Sequence, residues 1–283
     1  MSKEDKKMAQ HIVPCAHLER FTNNEGLLWV CREDDGRLKS YRLKPRTVCK
    51  QENYYDENPY DTQSNERSFK EIEDLGQISI DRVLSENQNG EIPDDIGAYA
   101  IHLIARTEAI RESITRSFSK AGNDLDDEEK RMLHAEIIKN FKENYLGENP
   151  RCLHCFIRTV LEPYYLLTSD IPVTVIGSCN PDSMKILKEY ESPRTIEGMN
   201  EKPPDSWIKS MKDLVLAMPL TPNKCLFIVN GDNEWYEARV SDPLDPRTIV
   251  VINTMMVMHR KNEVYSDRES KSLISQIQEM YSH

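Results

Sequence analysis

Between residues 66 and 146 the apolar side chains recur at helical spacing in one segment after another, whereas on either side of that block strand-like runs are mixed with short helical ones. This change of period constrains the fold more than any other feature. Phe69, Ile72, Gly76, Ile80 and Val83 form one stripe of a helix predicted over about 66–85. Leu103, Ile110, Ile114 and Phe118 mark the buried side of a single long helix predicted over about 94–120. Its start carries Asp94 and Asp95, where the helix dipole favours negative charge. Met132, Ile137, Ile138 and Phe141 mark a third helix over about 126–145.

Before this block, Pro14 opens a short helix reaching about Phe21, since a proline at a helix start gives up no hydrogen bond. Leu27 to Cys31 and Leu38 to Leu43 flank Asp34-Asp35-Gly36, a strong hairpin signal. Residues 44–65 read as an ordered connection followed by a polar loop. After the block, Tyr164–Thr168, Val173–Ile176, Leu214–Met218 and Cys225–Val229 read as strands. Residues 152–161 fit helix or strand, and 178–212 form a polar, Pro-rich excursion. Residues 248–260 are a strand entering a helix or one helix, and 270–281 a terminal amphipathic helix. The expectation is an α+β fold in one domain over 1–283: an N-terminal helix and β-hairpin (10–56), a central helical bundle (66–146) and a mixed, strand-rich C-terminal part (150–283).

The net charge of −11 argues against a duplex-DNA binder, whose affinity comes from clustered lysine and arginine. There is no apolar run of the ~20 residues that span a bilayer, and the opening MSKEDKKMAQ has no apolar signal core, so no membrane association is expected. Seven cysteines, odd in number and scattered, read as reduced thiols of a cytoplasmic protein. No GxGxxG or GxxxxGK occurs among only ten glycines, so neither a P-loop nor a Rossmann cofactor is expected, and the cofactor expectation is none. Cys152-Leu-His-Cys155 looks like half of a zinc site, but Cys179 and Cys225 are isolated and no second pair exists, so no metal is expected. Arg131-Met-Leu-His134 has nuclease-like spacing, yet that spacing is common on charged helices and reads as a solvated face.

A few polar residues stand in apolar surroundings, where they must be satisfied or used. His11 precedes a helix start and suits a general acid or base, or a structural bond to the backbone. Arg106 shares a helical side with Leu103 and Ile110, and therefore needs an acidic partner or an anionic ligand. Glu73, on the preceding helix, is the candidate partner. Ser169 and Asp170 follow a predicted strand end, where Asp170 suits a base or the group orienting His11. Ser169 can act as a nucleophile only beside a base, and both residues also build hydrogen-bonded turns.

The order of these motifs resembles a large, mostly bacterial family defined only as a domain of unknown function. That family opens with a pattern like HxVPxxxLxxF, matched here by His11, Val13-Pro14, Leu18 and Phe21. A hairpin follows, then an Asn-aromatic-Tyr stretch (Asn53-Tyr54-Tyr55), an Ile-Glu pair (Ile72-Glu73) and an Arg-Thr pair (Arg106-Thr107). A Ser-Asp-x-Pro-Val turn comes next (Ser169 to Val173), then Pro-Leu-x-Pro (Pro219 to Pro222), and an Asn ahead of Val-Tyr-Ser (Asn253; Val264 to Ser266). The family usually places Asn between the Asp and Pro of the turn, where this chain has Ile171. The resemblance implies a shared fold and site, with Asn253 and Ser169 as substrate contacts, and no known reaction.

Residue chemistry and resemblance together lead to two expectations. The first is an intracellular hydrolase or nuclease-like enzyme acting on RNA, a nucleotide or another phosphate-bearing substrate through His11, Glu73, Arg106 and Asp170. The second is a non-catalytic module that binds a small anionic ligand or a protein, in a setting such as bacterial defence or a toxin-like system. Alongside both stands a structural reading, in which the same polar set is a buried network.

Overall fold

A computed structural model describes residues 9–52, 54–55, 65–86, 92–120, 125–147, 153–178, 214–230, 237 and 240–281. The chain starts with a short strand, β1 (Ala9–His11), and one turn and a half of helix, α1 (Cys15–Glu19), entered through Pro14. The hairpin strands are β2 (Leu28–Asp34) and β3 (Arg37–Leu43). They are joined by Asp35 and Gly36, both in the left-handed region (φ 52° and 68°), as a two-residue turn of this twist requires. A 3-10 turn at Pro45–Thr47 leads to β4 (Lys50–Glu52), which pairs antiparallel with β1.

The helical middle consists of α2 (Asn65–Glu86), α3 (Asp94–Ala105), α4 (Glu108–Lys120) and α5 (Asp127–Gly147). The long helix expected over 94–120 is thus two helices. The break falls at Arg106-Thr107, where the Arg106 N–H still bonds the His102 carbonyl but the Thr107 N–H and hydroxyl both turn back to the Ile104 carbonyl (3.1 and 2.8 Å). A Thr side chain that competes for the backbone in this way favours an end over a continuation. The close α2–α3 contact is made at Gly76, where a Cβ would fall 2.4 Å from the Tyr99 Cβ, so no larger residue fits without a shift.

The C-terminal part supplies β5 (Leu153–Thr159), β6 (Thr168–Ser169), β7 (Thr174–Ser178), β8 (Leu214–Thr221), β9 (Lys224–Asn230), α6 (Pro246–His259), β10 (Glu263–Ser266) and α7 (Lys271–Tyr281). One sheet runs β5-β9-β8-β7. Its central strands are apolar from Leu214 to Leu220 and from Cys225 to Val229 because both faces are covered there. Leu214, Leu216, Met218, Leu226 and Ile228 join the core formed with α2, α3 and α5, while Val215, Ala217, Cys225, Phe227 and Val229 join the core beneath α6 and α7. Residues 152–161 resolve as strand over 153–159, and 248–260 as helix. That helix starts earlier than expected, at Pro246, because Asp245 caps it by accepting from the Arg247 and Thr248 N–H groups (2.9 and 3.1 Å).

The second sheet, β3-β2-β10-β6, ties the N-terminal hairpin to the C-terminal part. The strand expected over Tyr164–Thr168 shortens to Thr168–Ser169. The backbone before it bonds elsewhere: the Leu167 N–H donates to Asn253 Oδ1 (2.9 Å), the Asn253 amide donates to the Tyr165 carbonyl (2.9 Å), and the Leu166 N–H donates to the Pro222 carbonyl (2.8 Å). Most of the expected excursion over 178–212, and the loop after Tyr55 up to residue 64, lie outside the described residues. Among the described residues no helix is long and apolar enough to cross a membrane.

Candidate functional site

Arg106 caps the C-terminus of α3, and its side chain has no exposed area. One terminal nitrogen pairs with Glu73 Oε1 from α2, the other donates to the His11 carbonyl from β1, and Nε donates to the Tyr55 hydroxyl at 3.0 Å. The Tyr55 hydroxyl in turn donates to the Arg106 carbonyl (3.3 Å). The guanidinium lies beside the Tyr55 and Phe69 rings, 5.1 and 5.6 Å from their centroids, and the two rings are themselves in edge contact, 5.2 Å apart. A buried guanidinium needs its donors answered, and here a carboxylate, a carbonyl and a phenol answer them. His134, read from sequence as part of a solvated helix face, is instead fully buried beside this knot, and its Nε2 bonds the Ala105 carbonyl at 2.8 Å. Burial lowers its pKa to about 4.

His11 joins the knot through its backbone, not its ring. The register of β1 on β4 sets His11 opposite Lys50, on one face of the ribbon. The ring bonds the Arg46 backbone through one nitrogen, and the other, Nε2, is buried without a hydrogen-bond partner among the described residues. Burial lowers the His11 pKa, the Lys50 and Arg106 charges push the same way, and the Arg46 bond opposes them.

Asp170 belongs to a second polar centre. Its carboxylate accepts three backbone N–H groups in the turn after α6: Lys261 (2.9 Å), Asn262 (2.6 Å) and Glu263 (3.1 Å). Burial raises its pKa, and the three N–H groups oppose the rise without cancelling it. Ser169 is buried, its hydroxyl bonded to the N–H and C=O of Ile171 (3.1 and 2.8 Å) in a side-chain turn. Asn253 holds residues 165–167 in place, as described above. The two centres meet through the β1–β4 ribbon. The Ile12 N–H donates to the Cys49 carbonyl, and the Cys49 N–H donates to Glu263 Oε2 (3.0 and 3.4 Å). Cys49 adopts a left-handed backbone (φ 50°), unusual for a residue with a side chain, which these two bonds hold in place.

A cleft of about 790 Å³ opens over this corner, with Ile12, Cys49, Lys50, Asp170, Lys261 and Glu263 among its walls. Its charges are mostly matched within the protein. Glu263 accepts from Arg32 (3.0 Å) and from the Tyr265 hydroxyl (2.7 Å); Arg260 pairs with Glu33 (3.2 Å); Lys261 pairs with Glu112 of α4. Lys50 is exposed at the wall and forms no ion pair among the described residues. Glu263, Lys261 and Lys50 carry no motif in the sequence beyond standing next to quoted ones. Tyr55 stands inside a quoted motif, but its use as a clamp on Arg106 has no local signal.

Among the described residues no group of three His, Cys, Asp or Glu side chains is placed to hold a metal. Cys152 and Cys179 lie outside those residues, and His154 bonds Glu237 at 2.7 Å. No match was found among the curated proteins or among the solved structures. The part of the chain that builds β1, α1, the hairpin, β4, α2 and the Glu73 half of the buried pair, residues 9–96, matches the model of a family described as protein of unknown function, DUF4238.

Proposed function

We propose that the protein is a non-catalytic binding module whose 790 Å³ cleft takes a small anionic ligand at Lys50. One observation carries this reading. The polar groups best suited to chemistry are committed to the scaffold, since Arg106 is bonded to Glu73, Tyr55 and His11, and Asp170 to three N–H groups. The cleft keeps a lysine without a carboxylate partner among the described residues. A catalytic base or stabilising cation must be available to the substrate, whereas a binding pocket needs only shape and an unmatched charge.

A second reading, hydrolysis of a phosphate-bearing substrate, has one observation in its favour. His11 donates from one nitrogen to the Arg46 backbone and keeps Nε2 without a partner among the described residues, in a setting that favours the neutral, basic imidazole. A single pair of variants separates the readings. Calorimetric titration with a panel of small carboxylates and phosphate monoesters should show a binder whose affinity falls about tenfold or more in Lys50→Ala and persists in His11→Gln. Turnover of a phosphodiester or phosphomonoester that is lost in His11→Gln, with folding intact, would replace the binding reading by the hydrolytic one.

A further inference from the structure

Tyr54 is buried at the base of α4 and carries an arginine on its ring. The Arg111 guanidinium lies 4.8 Å from the ring centroid. Arg111 and Arg116 of α4 line a second cavity, of about 580 Å³, closed by Gln51 and Glu52 of β4 and by Asp127, Lys130 and Arg131 of α5. We propose that Arg111 and Arg116 form a site for a phosphate group in this cavity.

Three features carry the assignment. First, two of the four acids that line the cavity, Glu112 and Asp127, are already paired. Glu112 pairs with Lys261, Asp127 with Lys130 (3.2 Å), and Glu108 lies in the field of Lys261. Neither Arg111 nor Arg116 forms an ion pair among the described residues, so two guanidinium charges face the cavity unmatched. Second, Arg111 is preorganised. Contact with the face of a buried tyrosine restricts the side chain, so less of its freedom is lost when a ligand arrives. Third, the chemistry of the pair is specific. A planar fork donates two parallel N–H groups to a tetrahedral oxyanion, and a second guanidinium can take the remaining oxygens. Thr115 is not a ligand donor, because its hydroxyl is bonded to the Arg111 carbonyl (2.9 Å).

The site goes beyond the ligand proposed at Lys50. It lies in a different cavity, sharing only Gln51 and Glu108 with the first, and neither arginine lines the Lys50 cleft. The phosphate can arrive as the free ion or as the ester end of a nucleotide.

The test is titration of the full chain with inorganic phosphate and, separately, with adenosine monophosphate, each against sodium chloride at matched ionic strength. Saturable binding is expected, weakened about tenfold or more in Arg111→Gln and in Arg116→Gln and retained in Lys50→Ala. Arg111→Lys should keep the charge yet lose much of the affinity, because the fork is gone. Tighter binding of the nucleotide assigns the site to an ester, and equal binding assigns it to the ion. Should Arg111→Gln fail to fold, the exposed Arg116→Gln carries the test. No saturable binding by the wild type, effects reproduced by chloride, or affinities unchanged in both glutamine variants would overturn the site. Loss only in Lys50→Ala would also overturn it, while leaving the cleft proposal standing.

Discussion

Two arginines five residues apart, Arg106 and Arg111, each lie over a tyrosine from the adjacent pair Tyr55 and Tyr54. In one region the guanidinium has a carboxylate, Glu73, and is sealed in the core; in the other it has no carboxylate among the described residues and faces a cavity. The difference shows that ring stacking alone does not decide what an arginine does. The acidic partner decides. It converts the cation into part of the scaffold, and its absence leaves the charge for a ligand.

The sharpest way to break this comparison is to remove the partner. Arg106→Ala and Glu73→Ala should each lower unfolding free energy by about 3–5 kcal/mol, because each leaves a buried charge unanswered. The double variant should cost far less than the sum of the two, as read from chemical denaturation midpoints of all four proteins. Additive losses would mean that Glu73 does not define the buried region, and the contrast with Arg111 would fail.

The Asp170 corner gives the next effect. Asp170→Ala removes the acceptor of three N–H groups in the 261–263 turn and should cost about 2–4 kcal/mol, part of the lost bonding being offset because a buried carboxylate no longer has to be ionised. Asp170→Asn keeps one oxygen and should cost about half as much. Amide exchange at residues 261–263 should rise in both variants. Unchanged protection there would mean that the turn holds without Asp170.

Buried histidines set a pH dependence of comparable size. His17 is fully buried with neither ring nitrogen hydrogen-bonded to any described residue, and burial lowers its pKa to about 3; His134 is lowered to about 4. The unfolded chain takes protons on both below pH 6.5, the ordinary value, while the folded chain does not. Their contribution to stability is therefore complete above 6.5 and is lost as pH falls toward 4 and then 3. At about 1.4 kcal/mol for each pH unit, every such histidine costs about 2 kcal/mol near pH 5. Asp170 acts with the opposite sign, since its raised pKa means the folded state holds the extra proton as pH falls toward 3.8. His17→Leu should flatten the slope of stability between pH 6.5 and 5 by about half. An unchanged slope would show that His17 is solvated or bonded.

Much of the frame was legible in the sequence because periodicity reports burial. The Phe69–Val83 stripe, the Asp35-Gly36 turn and the unbroken apolar runs of β8 and β9 each announce their element. Two of the failures have a common cause, which is side chains taking over backbone bonds. Thr107 ends a helix that its neighbours would continue, and Asn253 takes the backbone groups of 165–167 that a strand would use. Neither is visible without the fold. Of the candidate residues, the pairing of Glu73 with Arg106 followed from two polar residues on apolar helix faces. The role of Asp170 as the acceptor for a turn 91 to 93 residues away could not, because its partners are backbone groups without sequence identity. The β10 strand was also missed: at four residues it is too short for periodicity to register.

The smallest expected effect is the one that sharpens the comparison most. Arg111→Ala should lower stability by only about 0.5–1 kcal/mol, the range for a cation resting on a ring near solvent. Arg111 is half-buried, so its aliphatic stem contributes some packing, but no described carboxylate is left unanswered when it goes. The change should also do less at high salt than the Arg106 change does, because screening weakens exposed charges more than buried ones. Denaturation of Arg106→Ala and Arg111→Ala side by side, at low and high salt, reads both quantities. A loss from Arg111→Ala as large as that from Arg106→Ala would mean that Arg111 also serves the scaffold, and that a stacked guanidinium holds α4 in place without needing an acid. A small loss together with weakened phosphate binding would place the two arginines in separate roles: Arg106 to hold the fold, Arg111 to meet the ligand.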